Sequence, residues 1–294
     1  MKPAPFVYHA PTSLEKAVQL LDELEGDVKI TAGGQSLLPM MNLRIARPDH
    51  LVDLRFLDSL SGVKLTDTHL VVGATTTHRT IETSPVVRRV APLLSEMASN
   101  IGHIPIRERG TIGGSVSLAD PTAEFPLASV MLDAEMTLSS VRGTRTVKAD
   151  QFFHSALQTE LAEDEILTSL AFPLADRHSG SAFMEFSRRK GDFCIVGVAA
   201  LVSVRDGRFD TARIGLCGVS DRPFLSKVAE QLSGEPANEA TMTRIADAIS
   251  AEIEPMTDGR AEIADRRDIA RALIKRTLPL AHERAFVAAQ GGSQ

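Results

Sequence analysis

Two glycine pairs, each flanked by small hydroxyl residues, restrict the architectures open to this sequence. The first lies in Ala32-Gly33-Gly34-Gln35-Ser36 and the second in Thr111-Ile112-Gly113-Gly114-Ser115, each after an apolar or extended stretch. Because glycine has no Cβ, such segments bring backbone N–H groups close to an anion. Together they predict a site for a diphosphate, whereas either segment alone also fits an ordinary tight turn.

The spacing within the two segments argues against the common nucleotide-binding folds. Neither contains the G-x-G-x-x-G pattern of a dinucleotide-binding βαβ unit, and neither has the lysine and hydroxyl of a P-loop. A diphosphate site at these glycines would therefore belong to a different fold.

Composition and charge narrow the classes of function. The chain has 294 residues, enough for about two domains, and a formal net charge of −6, which disfavours nucleic acid as the main partner. It contains no apolar run of about 18 residues and no signal-peptide pattern at its N-terminus. We expect a cytoplasmic protein with no membrane span.

The cysteines and histidines argue against a metal centre in this chain. Cys194 and Cys217 are the only two cysteines, and an iron–sulfur cluster normally needs four thiolates. Both lie in apolar, strand-like stretches, which predicts two small buried side chains. The eight histidines have no metal-ligand spacing.

The first 56 or so residues predict a βαβ-like lobe. Apolar residues recur at helical spacing over 14–24, Thr12 or Ser13 can cap this helix, and Gly26 ends it. A short strand over Val28–Thr31 then delivers the first glycine pair. A proline-rich turn and one more strand complete the lobe.

The remaining chain predicts alternating strands and helices, followed by a sheet backed by helices. Pro85 and Pro92 divide a helical stretch over 81–99, and a polar linker over 173–180 sets a domain boundary near 178. We predict helices at 127–132, 225–232, 240–253 and 261–280, strands at 70–74, 135–138, 145–147, 166–172, 193–204 and 212–219, and a disordered tail at 290–294. Asp206-Gly207 joins the last two strands.

The context of the two glycine segments resembles a known family. The matching segments are Phe6-Val7-Tyr8-His9-Ala10-Pro11, the first glycine segment extended by Leu37-Leu38-Pro39, Leu51-Val52-Asp53-Leu54, the second extended from Ile106, Ala119-Asp120-Pro121 and Arg188-Arg189-Lys190-Gly191-Asp192-Phe193. In this order they resemble the FAD-binding medium subunit of the molybdenum hydroxylases, the family that includes carbon monoxide dehydrogenase and xanthine dehydrogenase. The resemblance spans roughly residues 5–285.

The resemblance implies an α+β fold in two parts. Residues 1–177 would form a two-lobed FAD-binding domain of the PCMH type, similar to vanillyl-alcohol oxidase, with lobes of about 1–56 and 57–177. Residues 178–288 would form a smaller C-terminal domain of the carbon monoxide dehydrogenase flavoprotein type, with an antiparallel sheet and helices.

The resemblance also implies which residues hold FAD. The glycine segments would wrap its diphosphate and ribityl chain, while Leu167, Asp192 and Phe193 would lie at the isoalloxazine ring. The predicted cofactor-binding residues are Lys29, Ala32, Gly33, Gly34, Gln35, Ser36, Leu37, Thr111, Ile112, Gly113, Gly114, Ser115, Glu124, Leu167, Asp192 and Phe193.

Several of these positions keep a second interpretation or depart from the family pattern. Lys29 also fits a solvated strand-edge lysine, and Phe193 also fits a core strand residue. Ser115 replaces a common Asn and Glu124 a common Asp, so their contacts would be shifted or mediated by water. The basic residues 188–190 fit a solvated loop.

The resemblance implies that this chain transfers electrons from the complex to an external acceptor. No arrangement of nucleophile, base or paired carboxylates points to attack on an organic substrate. In the resembled complexes a large molybdopterin subunit oxidises the substrate, a small subunit relays electrons through two [2Fe–2S] clusters, and FAD passes them to an external acceptor. A dimer of such heterotrimers is expected. The alternative is a stand-alone FAD-dependent reductase or oxidase on a related fold. The sequence identifies neither the organic substrate nor the acceptor.

Overall fold

The computed structural model describes residues 2–174, 178–255 and 257–291. The helices are α1 (Leu14–Glu23), α2 (Leu37–Asn42), α3 (His78–Thr83), α4 (Pro85–Val90), α5 (Pro92–Asn100), α6 (Ile104–Arg107), α7 (Ile112–Leu118), α8 (Glu124–Met131), α9 (Ala149–Phe152), α10 (Glu239–Glu252) and α11 (Ile263–Gly291). The strands are β1 (Val7–His9), β2 (Val28–Thr31), β3 (His50–Asp53), β4 (Val63–Leu65), β5 (His69–Gly73), β6 (Glu135–Ser140), β7 (Gly143–Lys148), β8 (Phe153–Ser155), β9 (Gln158–Thr159), β10 (Ile166–Pro173), β11 (Ser179–Phe186), β12 (Val196–Arg205), β13 (Arg208–Cys217) and β14 (Phe224–Leu225).

The N-terminal lobe is a three-stranded parallel sheet in the order β1-β3-β2. The Ser13 hydroxyl caps α1 by accepting a hydrogen bond from the Lys16 N–H at 3.2 Å, so the predicted helix is confirmed with Ser13 as its cap. The predicted proline-rich turn is wrong, because Leu37–Asn42 forms α2. Pro39 lies in the first turn of that helix, where its missing N–H leaves no helical hydrogen bond unmade.

The second lobe is a five-stranded antiparallel sheet in the order β4-β5-β10-β6-β7. The strands predicted at 70–74, 135–138, 145–147 and 166–172 are confirmed within a few residues. Pro85 and Pro92 begin α4 and α5, which confirms the division of the helical stretch. The second glycine pair lies in α7, so its description as a turn is wrong.

The C-terminal part is a four-stranded antiparallel sheet, β11-β12-β13-β14, with α10 and α11 packed on it. Asp206 and Gly207 close the β12–β13 hairpin with φ of 53° and 72°, as predicted. β12 begins at Val196 rather than at Phe193. The helix predicted at 225–232 is wrong, since Leu225 ends β14 and Val228–Leu232 is a short 3-10 helix.

The last helix is longer than predicted, and it packs closely on β11, a strand that the sequence analysis did not predict. α11 includes Gln290 and Gly291, contrary to the predicted disordered tail, and 292–294 lie outside the described residues. A Cβ on Gly180 of β11 would lie 2.8 Å from the Cα of Ala285, so only glycine permits this close approach of strand and helix. The predicted domain boundary near 178 directly follows residues 175–177, which also lie outside the described residues, so it stays a prediction.

Three hydrophobic clusters correspond to the two lobes and the C-terminal sheet. The cluster of the second lobe extends to Phe183, Cys194, Ala199 and Cys217, so α8 packs on one face of the C-terminal sheet while α10 and α11 cover the other. Cys194 and Cys217 are buried, as predicted. Among the described residues, no helix is long and apolar enough to cross a membrane.

Candidate cofactor site

The structure packs the first glycine segment against Arg109 and Gly110, the two residues that directly precede the second segment. The first segment follows β2 at the carboxyl edge of the parallel sheet, where Thr31 lies opposite Asp53 of β3. A Cβ on Gly33 would lie 2.7 Å from the Cα of Gly110 and even closer to the carbonyl oxygen of Arg109. The absence of a side chain at Gly33 is therefore what permits this packing.

The first segment presents a row of backbone donors. Within the described part of the chain, the amide N–H groups of residues 33–37 donate no hydrogen bond. Gly34 has φ of +69°, and the Gln35 side-chain amide donates to the Gly33 carbonyl at 3.0 Å, which fixes the bend. Successive free N–H groups around such a bend form a concave site for an anion.

The second segment is less rich in donors than the sequence suggested. The amides of Ile112 and Gly113 donate to the carbonyls of Thr76 and Ala74 at 3.0 and 2.8 Å, and the Gly114 amide donates to the Thr111 hydroxyl at 3.2 Å. These three amides already have partners inside the protein. The amides of Ile112 and Gly113 are therefore not free donors, and the contact of these two residues with a diphosphate stays a prediction.

The two glycines of α7 have different surroundings. Gly113 is buried, and a Cβ there would lie 2.6 Å from the Cβ of Ala74. Gly114 is exposed, and a Cβ there would meet only the Thr111 hydroxyl, at 3.0 Å. Gly113 therefore allows α7 to pack on the sheet, whereas Gly114 leaves an open surface beside the first segment.

Hydroxyl groups supply further donors at this surface. The side chains of Ser36 and Ser115 make no hydrogen bond with any residue that the structure describes. The Thr31 hydroxyl is buried and has no hydrogen-bond partner among the residues that the structure describes, and it lies 3.6 Å from where a Cβ of Gly34 would stand. A buried hydroxyl without a partner is costly, so a ligand that accepts its hydrogen bond would be favoured here.

Two residues that the sequence did not single out support the segments. His78 packs beneath Gly110, with its ring edge-on to Phe125 at 5.0 Å, and burial lowers its pKa to about 4. Asp53 is fully buried and accepts hydrogen bonds from the Tyr8 hydroxyl and the Arg55 side chain, both at 2.7 Å. The packing of His78 and the hydrogen bond between Tyr8 and Asp53 join distant parts of the chain, so the sequence shows no local pattern for them.

Lys29 is exposed, and its ammonium group lies 3.0 Å from the carboxylate of Asp27. The structure therefore matches the interpretation of a solvated strand-edge lysine. Leu37 begins α2, and Ala32 joins β2 to the bend.

The predicted ring end lies on the loop between β11 and β12. Phe193 is 64% exposed, so its interpretation as a core residue is wrong. The Asp192 N–H donates to the Arg189 carbonyl at 3.0 Å, and Gly191 rests on the imidazole of His103 with φ of +88°. Leu167 is buried in β10, at an irregularity in its pairing with β6.

Glu124 lies in the first turn of α8 and is 8% exposed. Burial and the neighbouring carboxyl group of Glu185 raise its pKa well above the usual range. Glu185 belongs to β11 of the C-terminal sheet, and the sequence did not connect the two residues.

Comparison with known sequence families gives two matches that cover most of the chain. Residues 4–175 match the family described as the FAD binding domain in molybdopterin dehydrogenase. Residues 181–281 match the CO dehydrogenase flavoprotein C-terminal domain.

Individual proteins agree with the family matches. The caffeine dehydrogenase subunit beta of Pseudomonas sp. (strain CBB1) is 35% identical over 286 residues, covering 97% of each chain. A solved structure of carbon monoxide dehydrogenase from Hydrogenophaga pseudoflava superposes with a TM-score of 0.93 and 36% identity, covering 97% of this chain and 99% of that one. Quinoline 2-oxidoreductase from Pseudomonas putida 86 gives a TM-score of 0.92 at 34% identity, covering 98% and 99%.

Proposed function

Because the chain belongs to the family of FAD-binding medium subunits of molybdenum hydroxylases, we propose that it passes electrons from a partner's [2Fe–2S] clusters to an external acceptor. The observation that carries this proposal is the donor-lined bend of residues 33–37, and the exposed Phe193 on the loop after β11 would form the other end of the site. The bend suits a diphosphate, and Phe193 suits one face of a flavin ring.

The diphosphate end would be held mainly by the first segment. The unpaired amides of residues 33–37 and the hydroxyls of Ser36 and Ser115 replace the water that a dianion loses on binding. Gly114 leaves room for the ribityl chain or phosphate beside α7. These contacts orient FAD, which supplies the redox chemistry when bound.

The ring end would lie between Leu167 and the loop that carries Asp192 and Phe193. Phe193 is exposed in the isolated chain, and an aromatic ring is most useful there if it covers the flavin and limits its contact with water. The neighbouring Arg188 side chain donates to the Arg260 carbonyl at 2.6 Å, which holds the loop against the segment that precedes α11.

We propose the same assembly for this chain as its family implies. Its partners would be a large molybdopterin subunit and a small [2Fe–2S] subunit, in a cytoplasmic dimer of heterotrimers. Two comparisons support this assembly: one relative is named as subunit beta of caffeine dehydrogenase, and the chain superposes on a chain of the solved carbon monoxide dehydrogenase. We place the FAD-binding domain at 1–177, with lobes of about 1–56 and 57–177, and the C-terminal domain at 178–288, in keeping with the two family matches.

Comparing the isolated chain with the assembled complex tests this role. The isolated chain should bind FAD, and dithionite should reduce that FAD, but the complex's organic substrate should not. In the complex, the substrate should bleach the flavin absorbance, and an added acceptor should restore it. Oxidation of the organic substrate by the isolated chain would instead indicate a stand-alone flavoenzyme.

A further inference from the structure

The loop between β11 and β12 carries Phe193 beyond the end of the C-terminal sheet. Phe186 and Val196 are the last paired residues of these two strands, and the Ile195 N–H donates to the Phe186 carbonyl at 2.7 Å. Residues 188–190 and Phe193 are exposed. An exposed loop of this kind keeps one of its side chains in a fixed position only if contacts outside the hairpin hold it.

A tight turn in this loop places Gly191 against the ring of His103. The Asp192 N–H donates to the Arg189 carbonyl at 3.0 Å, which closes a β-turn with Gly191 in its third position. The φ of +88° at Gly191 fits a type II turn, in which this position needs a positive φ. A Cβ at Gly191 would lie 2.5, 2.7 and 3.0 Å from Cε1, Nδ1 and Nε2 of His103, so the imidazole fills the space that a side chain would need.

The backbone that carries His103 is firmly held. His103 is the residue before α6, and its carbonyl accepts a hydrogen bond from the Arg107 N–H at 3.1 Å. The buried Arg107 side chain donates to the carbonyls of Ile101 and Gly102, at 3.1 and 2.9 Å. It also donates to the carboxylate of Glu82 in α3, at 2.9 Å. The imidazole of His103 is therefore a fixed support for the turn.

The residue after Phe193 is fixed to the same stretch of the chain. Cys194 is fully buried, and its thiol donates to the Thr122 carbonyl at 3.1 Å. Gly191 and Cys194, on either side of Phe193, thus both contact the stretch 103–122, which contains the second glycine segment. The Phe193 ring is exposed although the backbone on both sides of it is held.

We propose that His103 is a positioning residue, whose imidazole supports Gly191 and thereby fixes where Phe193 stands relative to the second glycine segment. This inference rests on the proposed role of Phe193 at the flavin ring. Without the imidazole, the turn at Gly191 loses its support and the exposed part of the loop can move. Phe193 then covers the flavin less well, while residues 33–37 still hold FAD at its diphosphate end.

Hydrogen–deuterium exchange of the full chain without FAD tests the support directly. In His103→Ala, peptides that cover residues 187–193 should exchange about fivefold faster or more, because opening of the turn no longer breaks the contact with the imidazole. His103→Phe keeps a flat ring over Gly191 and should restore slow exchange. The matched control is His154→Ala, since His154 is also exposed but bonds to Glu160 at 2.9 Å, and this variant should leave loop exchange unchanged. Wild-type exchange of the loop in His103→Ala would overturn the proposal.

With FAD bound, the flavin reports whether His103 acts through Phe193. His103→Ala should shift the flavin absorbance and speed the reaction of the reduced flavin with oxygen, in the same direction as Phe193→Ala. The double variant His103→Ala/Phe193→Ala should show no more than the effect of Phe193→Ala, because the effects of residues that act through each other are not additive. Additive effects would overturn the positioning role. An unchanged flavin in Phe193→Ala alone would instead count against the proposed role of Phe193, and the exchange measurement would still decide whether His103 fixes the loop.

Discussion

Replacing Gly114 by alanine tests the cofactor site most directly, because the structure separates its effect on FAD from its effect on the fold. The new methyl group would meet only the Thr111 hydroxyl, at 3.0 Å, on an otherwise open surface. Gly114 lies inside α7, where alanine is favoured over glycine by about 1 kcal/mol. This gain offsets the tight contact, so the free energy of unfolding without FAD should change by no more than about 1 kcal/mol.

FAD affinity should respond much more strongly to the same change. If the open surface of Gly114 receives the ribityl chain or a phosphate, a methyl group there overpacks the site at a cost of roughly 1–3 kcal/mol. That cost corresponds to an increase in the dissociation constant of about 5- to 150-fold. Titration of the apoprotein with FAD, followed by flavin fluorescence, measures the constant, and urea unfolding of the same preparation measures stability.

The neighbouring glycine provides the matched control. In Gly113→Ala the methyl group would lie 2.6 Å from the Cβ of Ala74 and 2.7 Å from its carbonyl oxygen. We expect this variant to lose roughly 1–3 kcal/mol of stability even without FAD. A Gly114→Ala chain that binds FAD with wild-type affinity would refute the placement of the cofactor at α7.

Three further substitutions probe the cap, the ring and the buried imidazole. Thr111→Ala removes the N-cap of α7 and should cost about 1 kcal/mol in urea unfolding; an unchanged stability would show that the cap is unimportant. Phe193→Ala should alter the free energy of unfolding by no more than about 0.5 kcal/mol, because the phenyl ring is 64% exposed. The same change should shift the flavin absorbance and speed the reaction of the flavin with oxygen. Unchanged spectra and oxygen reactivity would mean that another side chain covers the isoalloxazine ring. His78→Leu should remove the contribution of His78, which is a stability loss of up to about 3 kcal/mol as pH falls from 6.5 to about 4. The difference between the wild-type and variant stability curves should follow this slope, and a flat difference curve would refute the role of His78.

The local elements of this fold were largely predictable from the sequence, and their exceptions have physical causes. Helix spacing and proline positions identified α1, α4 and α5, since these signals act within one turn. β11 was missed because its small residues become a buried strand only against α11, far along the chain. α7 was missed because two glycines oppose helix formation, and the cap at Thr111 and the carbonyls after β5 compensate for them.

The candidate site was predictable in outline and not in its division of roles. The sequence presents Gly113 and Gly114 as equivalent, although one packs on Ala74 and the other faces an open surface. It also presents two similar donor segments, whereas only the first keeps a row of free amides. These differences arise from the loop after β5, whose carbonyl groups accept hydrogen bonds from the first amides of α7. Hydrogen bonds between segments so far apart in the chain leave no local sequence pattern.

Two buried groups near the site link stability to pH in opposite directions. His78 is neutral in the fold with its pKa lowered to about 4, so its contribution disappears as pH falls below 6.5. Burial raises the pKa of Glu185 in β11 from 4.5 to about 7, so the contribution of its protonated form disappears as pH rises from 4.5 through 7. Because the two windows overlap, the wild-type curve can be nearly flat even though both groups titrate. Only the difference curves of His78→Leu and Glu185→Gln resolve them: the first variant should expose the loss toward alkaline pH, and the second should expose the loss toward acid pH.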